Sequence, residues 1–264
     1  DFKKFFKNNK NHLNLLAGQE YIVTRERELR NVVHGFPTEY TADDCINYST
    51  KGNPYEVTNY GYPDDVLFSF FGRANYDFDS KYLFSATFRA DGSSKFAKGN
   101  QWGFFPSAAV AWRISSESFM ENTKNWLDDL KLRFSYGTAG NNNIPSGQIS
   151  QLYELNKTPW INGVNSYIAP SKYMANSDLT WETTITRNVG LDFTTLGGRL
   201  SGTIEGYWNN TKDLLIMFPT SGTGYNYQYR NMGETENKGL EASVNWVAVD
   251  KKNFGLSIGA NISF

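Results

Sequence analysis

Apolar and polar residues alternate along nearly the whole of this 264-residue sequence. Successive side chains of a β-strand point to opposite faces of a sheet, so a period of two gives each strand one apolar and one polar face. In the run 68–78, Phe68, Phe70 and Tyr76 share one row, and Arg73 and Asn75 share the other. Comparable runs lie at 82–91, 104–114, 130–137, 181–193, 200–209, 240–246 and 254–264. With two weaker runs at 2–6 and 13–21, the sequence predicts about ten antiparallel strands.

The connections between the predicted strands are short and long in turn. Tight turns are expected at 8–11, 79–81, 196–198 and 250–252. Long loops are expected at 23–65, 92–101, 138–178 and 213–231. The connection 115–129 is longer than its place in this order suggests, and it is predicted to contain a short helix. Short turns at one end and long loops at the other are typical of an outer-membrane β-barrel.

Aromatic residues make up 16% of the sequence, and their placement favours a barrel. A transmembrane barrel carries a girdle of aromatic side chains where its apolar band meets each membrane interface. Near the predicted tight turns, the aromatic residues on the apolar rows are Tyr76, Phe78, Tyr82, Trp112, Phe193, Trp246 and Phe254. Near the predicted long loops they are Phe68, Phe104, Tyr136, Trp181 and Trp208. The alternation offers no reason for Arg187, which interrupts an apolar row.

Composition excludes several other classes of protein. A mean hydropathy of -0.53 and short apolar runs exclude an α-helical membrane protein, since a spanning helix needs about 20 apolar residues. A formal net charge of -1 gives no electrostatic reason to expect nucleic acid as a partner. The single cysteine, Cys45, excludes an internal disulfide framework.

Two alternatives remain open from the alternation alone. A soluble or surface-exposed β-sandwich that binds carbohydrate would alternate in the same way, with its apolar rows turned inward. A small closed outer-membrane barrel of about ten strands is the second alternative, although its lumen would be filled by side chains. The regular change of loop length favours a barrel over a sandwich.

Long motifs resemble the C-terminal barrel half of SusC/RagA-type TonB-dependent outer-membrane transporters of Bacteroidota. The first is DGSSKFAKGNQWGFFPSAAVAWRIS at 91–115, and the second is WLDDLKLRFSYGTAGN at 126–141. Further matching stretches lie at 179–184, 188–193, 199–208, 212–215 and 237–241. The resemblance covers about 66–264, while residues 1–65 fit only in their strand rhythm.

This resemblance implies an all-β fold, namely an antiparallel transmembrane β-barrel of about 22 strands with a plugged lumen. Residues 1–264 are then expected to form part of the barrel, without the plug or the TonB-contacting segment. The implied function is active import of oligosaccharides or peptides across the bacterial outer membrane. The implied partners are a SusD-like surface lipoprotein, TonB acting through the missing N-terminal part, and the lipid bilayer.

A search of the sequence for catalytic or metal-binding chemistry gives little. His12 and His34 have no second histidine at ligand spacing, and Cys45 has no histidine nearby in the sequence. The carboxylate pairs at 43–44, 64–65 and 128–129 are interpreted as solvated loop residues. The sequence therefore predicts no enzyme, no cofactor and no metal site.

Two groups of residues are candidates for contact with a substrate. Flat rings beside amide groups suit the stacking and hydroxyl hydrogen bonds of a carbohydrate site, although such rings also pack loops together. Arginines on the polar rows suit anionic groups or peptide carboxylates, although they also pair with luminal carboxylates or a plug. The aromatic candidates are Trp160, Tyr167, Tyr173, Tyr225, Tyr227 and Tyr229. The candidate arginines are Arg73, Arg89 and Arg133, and Arg113 shares their row.

Overall fold

The computed structural model describes residues 10–61, 63–156 and 167–264, and β-strands dominate them. The strands in chain order are β1 (Asn11–Thr24), β2 (Arg27–His34), β3 (Asn53–Gly61), β4 (Asp65–Phe78), β5 (Tyr82–Ser93), β6 (Trp102–Arg113), β7 (Leu127–Asn141), β8 (Tyr153–Asn156), β9 (Tyr167–Pro170), β10 (Glu182–Thr195), β11 (Leu200–Lys212), β12 (Leu215–Pro219), β13 (Tyr227–Asn231), β14 (Glu234–Lys251) and β15 (Phe254–Ser263). Helix α1 spans Ala42–Asn47, and 3-10 helices span Ser49–Lys51, Ile114–Ser116 and Ser118–Thr123. None of these helices is long and apolar enough to cross a membrane.

Nine strands form one antiparallel sheet in the order β1-β4-β5-β6-β7-β10-β11-β14-β15. Apart from the hairpin insertions, spatial order follows chain order, as in an up-and-down barrel wall. Among the described residues β1 and β15 each have one neighbour in this sheet, so the sheet is open. The all-β antiparallel prediction is confirmed, and the predicted strand at 2–6 lies outside the described residues.

The connections at the two ends of this sheet differ in kind. At the turn end, β4–β5, β10–β11 and β14–β15 are joined by tight turns, and β6–β7 by two of the 3-10 helices. The β4–β5 turn places Asp79 and Ser80 in the left-handed region, at φ 57° and 56°, as tight hairpins require. At the opposite end, termed the long-loop end, three connections contain the additional hairpins β2–β3, β8–β9 and β12–β13.

The register gives the main sheet two distinct faces. Phe84 lies opposite Tyr76 on β4 and Val110 on β6, so their side chains share one face. This apolar face carries Phe84, 48% exposed, and Val110, 41% exposed, and no layer of the described residues packs over them. The polar face carries the arginines of the alternate row, which hydrogen-bond to neighbouring strands.

The principal hydrophobic core lies at the long-loop end of the sheet. Its buried members are Phe96, Phe105, Ile144, Leu179 and Trp181. Phe105 points from the polar face of β6 toward glycines on two strands. A Cβ atom at Gly103 or at Gly140 would overlap the Cζ atom of this ring. These two glycines therefore admit the ring, and the loops bury it.

Trp181 was predicted to join the long-loop girdle, and that prediction is wrong. Its side chain is only 9% exposed and packs against Phe96 and Phe105, at ring centroid distances of 5.3 Å and 5.4 Å. The indole nitrogen donates a hydrogen bond to the Gln101 carbonyl oxygen at 2.9 Å. Because β10 begins at Glu182, Trp181 precedes the strand and does not follow its alternation.

Candidate functional site

Arg133 is the centre of an ion network on the polar face. Its guanidinium donates two hydrogen bonds to Asp192 on β10, each 2.9 Å long, and one to Glu205 on β11 at 3.4 Å. Lys131 also pairs with Asp192 at 2.9 Å, and Asn188 donates to Glu205. The bidentate geometry fixes the guanidinium plane across three neighbouring strands.

Arg89 is held in a similar way, nearer the long-loop end. It donates to Asp91 on its own strand at 2.7 Å and to Glu20 on β1 at 2.7 Å. The terminal nitrogen that donates to Glu20 also donates to the hydroxyl of Ser69 at 3.0 Å. Its guanidinium also lies 5.7 Å from the ring centroid of Phe71. The acidic partners of Arg89 and Arg133 therefore belong to the same face of the sheet.

Arg73 differs from these two arginines. Its side chain is exposed and donates to the hydroxyl of Thr87 at 3.1 Å. No carboxylate among the described residues forms an ion pair with it. Arg113, at the turn end, lies 3.3 Å from Asp129. Of these four arginines, Arg73 is the one without a carboxylate partner among the described residues, so its guanidinium is available to a solute.

Three of the predicted tyrosines come together from two different long connections. The Tyr173 ring lies 6.1 Å from Tyr227 and 6.4 Å from Tyr229, the second pair being nearly parallel at 25°. Burial and the neighbouring Tyr173 phenol both raise the pKa of Tyr229. All three rings are half-buried, so each keeps surface that a ligand can contact.

The connections that carry these tyrosines are joined by hydrogen bonds. The Met174 amide donates to the Tyr227 carbonyl at 2.8 Å, and the Asn176 side chain donates to the Tyr229 carbonyl at 2.8 Å. Gln228, which is buried, donates to the Ala175 carbonyl at 2.9 Å. These tyrosines therefore lie where the two connections pack together, which is one of the two roles predicted for them.

The remaining aromatic candidates lie apart from this tyrosine cluster, defined as Tyr173, Tyr227 and Tyr229. The Tyr225 hydroxyl donates to Gln151 Oε1 at 3.0 Å, which ties the same two connections together. Tyr167 is the first residue of β9. Trp160 lies outside the described residues.

A polar cavity of about 590 Å³ opens beside Tyr229 at the long-loop end. Lys95 and Asp65 form an ion pair of 3.1 Å in its wall, with side chains 14% and 23% exposed. The second carboxylate oxygen of Asp65 is buried and has no hydrogen-bond partner among the described residues. The remaining lining residues are Thr24, Glu26, Pro63, Asn143, Ile144, Pro145 and Ser146.

Lys95, Asp65 and Glu26 were not predicted as residues of this site. Asp65 was noted only as one of a pair of loop carboxylates, and Lys95 lies within the first resemblance motif. The pairing of β4 with β5 brings Asp65 beside Lys95, and the pairing of β1 with β4 brings the end of β1, just before Glu26, beside Asp65. Within residues 10–61, 63–156 and 167–264, no three His, Cys, Asp or Glu side chains group closely enough to hold a metal ion.

An antiparallel sheet with an exposed apolar face and an ion-paired polar face defines the wall of a transmembrane β-barrel. The family model described as TonB dependent receptor-like, beta-barrel, matches residues 4–264. The chain belongs to this family, and the fold predicted from its alternation and motifs is confirmed.

Relatives and solved structures agree with this assignment. The chain is 41% identical over 206 residues to the TonB-dependent receptor SusC of Bacteroides thetaiotaomicron, covering 76% of this chain and 20% of the relative. It is 38% identical over 252 residues to the TonB-dependent receptor P3 of Formosa agariphila, covering 94% of this chain and 23% of the relative. The chain thus spans about a fifth to a quarter of these curated relatives.

A chain of the RagAB peptide transporter superposes on this structure with a TM-score of 0.81 at 27% identity. The superposition covers 98% of this chain and 28% of that one. The FrpB iron transporter from Neisseria meningitidis shares the fold at a TM-score of 0.55 and 14% identity, covering 98% of this chain and 33% of the other. The resemblance to SusC/RagA-type proteins predicted from the motifs is therefore confirmed.

Proposed function

We propose that this chain is part of the barrel of an outer-membrane TonB-dependent transporter that imports oligosaccharides or peptides. The observation that carries the proposal is the contrast between the two faces of the sheet. Phe84 and Val110 are exposed on one face, which lipid would cover, while Arg89 and Arg133 are fixed by carboxylates on the other, which would line the lumen. The open edges at β1 and β15 would pair with further strands of a larger barrel, about 22 in all.

In this proposal the whole of 1–264 belongs to the barrel domain, and the long loops 23–65, 92–101, 138–178 and 213–231 face the cell exterior. The turn end then faces the periplasm, since periplasmic turns are short in such barrels. A SusD-like lipoprotein would cover the long loops. TonB would act on a plug supplied by other parts of the protein, and that plug would lie against the polar face.

The proposed substrate contacts are the tyrosine cluster, the polar cavity beside it and the luminal arginines. Stacking on a ring contributes to sugar and peptide binding without requiring charge. Arg73 adds an exposed guanidinium that suits a carboxylate, as on the end of a peptide. Tyr225, Tyr167 and Trp160 are proposed to extend the aromatic surface of the same loops.

The transport proposal is tested on the full-length protein that carries this chain. Outer and inner membranes are separated, and uptake of a panel of labelled neutral oligosaccharides and peptides is measured with and without the proton gradient. We expect the protein in the outer membrane and uptake that stops when the gradient is abolished. A protein found only in the soluble fraction, or uptake that continues unchanged without the proton gradient, contradicts the proposal.

The proposed contacts are tested by paired alanine variants. We expect Tyr173→Ala with Tyr227→Ala to weaken binding of the transported oligosaccharide or peptide by about tenfold, since two ring contacts are lost. Tyr153→Ala is the matched control, because Tyr153 is 65% exposed in the same long connection and lies outside the tyrosine cluster. Equal affinity in the paired variant and the control would remove the tyrosine cluster from the site.

A further inference from the structure

Arg187 is the only charged residue on the apolar face of β10. The register places it opposite Tyr136 on β7 and Trp208 on β11. Trp208 in turn lies opposite Lys238 on β14. One row across four strands therefore alternates aromatic and cationic side chains.

Arg187 is held against the surface by its neighbours. Its guanidinium carbon lies 4.7 Å from the Trp208 ring centroid and 5.9 Å from that of Tyr136. One terminal nitrogen donates to Asn210 Oδ1 at 2.8 Å. No carboxylate pairs with Arg187 in the described part of the chain, so its other N–H groups have no anionic acceptor from the protein.

Lys238 is oriented by Glu236 on the same strand. The ammonium lies 3.2 Å from a Glu236 oxygen, and the lysine side chain is 73% exposed. Glu236 also accepts hydrogen bonds from Asn210 at 3.3 Å and from the Trp208 indole. Arg187 and Lys238 against Glu236 leave one net positive charge at this level of the apolar face.

The next row toward the turn end is wholly apolar. It consists of Val110, Phe134, Val189, Gly206 and Leu240. Together with the cationic row it lines a shallow groove of about 830 Å³ that crosses five strands. Gly206 has no side chain to fill this groove. An apolar groove with two cations along one border suits a molecule that is part hydrocarbon and part anion.

We propose that this groove binds a phosphate-bearing lipid of the outer leaflet. The inference rests on the proposed function, which places the apolar face in the bilayer with its long-loop end outward. The free N–H groups of Arg187 and the ammonium of Lys238 bind the phosphate oxygens, since guanidinium groups match phosphate geometry. An acyl chain follows the apolar row below, over Gly206. Tyr136 and Trp208 lie at the headgroup boundary, as interfacial aromatic residues do.

The test uses the full-length protein, purified from outer membranes in neutral detergent. Dipalmitoyl phosphatidylglycerol is titrated in, and bound lipid is counted by native mass spectrometry. Dipalmitoylglycerol, which lacks the phosphate, and glycerol phosphate, which lacks the chains, are titrated in parallel. We expect retention of the phosphatidylglycerol alone, and about tenfold weaker retention when Arg187→Gln and Lys238→Gln are combined.

Two further variants separate the charge from the groove. Gly206→Leu keeps both cations and fills the groove, because a Cβ atom there meets only the mobile end of Leu240 at 3.2 Å, and we expect it to weaken retention as well. Arg25→Gln with Lys98→Gln removes two exposed charges from the same end of the sheet but away from the groove, and we expect retention to be unchanged.

Three results would overturn the inference. They are equal retention by wild type and the Arg187/Lys238 double variant, equal retention of dipalmitoylglycerol, and binding of glycerol phosphate as tight as that of the lipid. Membrane fractionation and uptake by the same protein are scored separately. A wild-type protein that reaches the outer membrane and transports solute but fails these tests lacks the lipid site alone, whereas one found outside that membrane contradicts the proposed function itself.

Discussion

Phe104 and Phe105 are adjacent on β6, yet their surroundings are opposite. Phe104 is 61% exposed on the apolar face, where its ring stacks on Phe88 at 6.2 Å. Phe105 is 7% exposed on the polar face, packed against Trp181 under the long loops. One residue type thus serves two environments within a single strand. The difference shows that alternation along β6 places neighbouring residues on opposite faces of the sheet, one exposed and one covered by the long loops.

The two faces also differ in what stabilises them. Side chains of the apolar face, such as Phe84, leave about half of their surface uncovered by the described residues, and a hydrocarbon phase stabilises that exposed part. Side chains of the polar face, such as Arg133 and Asp192, depend on direct hydrogen bonds. The loss of stability caused by a substitution should therefore depend more on which face carries the residue than on which strand it lies in.

The largest effect is expected from Phe105→Ala. The variant removes a buried ring from between Gly103, Gly140 and Trp181, and a buried Phe→Ala change costs about 3–5 kcal/mol. We expect the amides of 92–101 and 176–182 to exchange with deuterium faster, since the loop core opens. Phe104→Ala is the control and should leave that exchange unchanged. Equal acceleration by both variants would show that the two faces are not distinct at this level.

The next largest effect is expected from Val110→Arg, near the middle of the apolar face. A cation facing the hydrocarbon phase costs up to about 2–4 kcal/mol in a transmembrane barrel, and the cost falls toward the interfaces. We expect the variant to assemble poorly into the outer membrane, as judged by its folded fraction on unheated gels. Ser107→Arg places the same side chain on the polar face of the same strand and should assemble normally. Equal loss from both substitutions would contradict the lipid-facing assignment.

Much of this two-faced sheet could be predicted from the sequence, because alternation is a local property of each strand. The strands at 82–93 and 200–212 coincide closely with the runs that predicted them. Trp181 was misplaced because its parity matches β10 although it lies one residue before the strand begins. The hairpin at Arg27–His34 and Asn53–Gly61 was not predicted, because the charged residues of the first segment obscure any alternation.

Contacts between residues of different strands could not be predicted from the alternation. Tyr173 and Tyr227 were both identified as candidates, but only the bridge between them reveals that they meet. Arg187 had no explanation along its own strand, and its aromatic partners Tyr136 and Trp208 come from the strands on either side. Register joins residues distant in the chain, and the alternation along one strand does not show which residues of the next strand lie opposite.

A smaller effect is expected from Asp192→Ala on the polar face. The variant leaves Arg133 and Lys131 without their shared carboxylate, although Glu205 still lies 3.4 Å from Arg133. Because Arg133 is 34% exposed, water screens the loss, and we expect about 1 kcal/mol from urea unfolding in lipid vesicles. Glu121→Ala breaks an exposed pair with Lys124 and should cost roughly 0.3 kcal/mol or less. Equal costs would mean that the ion network of the polar face adds nothing beyond a surface pair.

The smallest effect is expected at the turn end, where the polar groups of Tyr82 and Trp112 hydrogen-bond to Glu117. The carboxylate accepts hydrogen bonds from the Tyr82 hydroxyl at 2.6 Å, the Trp112 indole at 3.1 Å and Lys81 at 3.4 Å. These bonds, led by that from Tyr82, lower the pKa of Glu117 below its ordinary value of 4.5. A lowered pKa in the folded state adds stability that is present above pH 4.5 and is lost as the pH falls through the folded value.

We expect the unfolding midpoint of Glu117→Gln to fall less than that of the wild type between pH 5 and pH 3, measured in the same vesicles. Parallel curves for the two proteins would show that the rings at this edge of the apolar face are held by the lipid interface and not by the carboxylate.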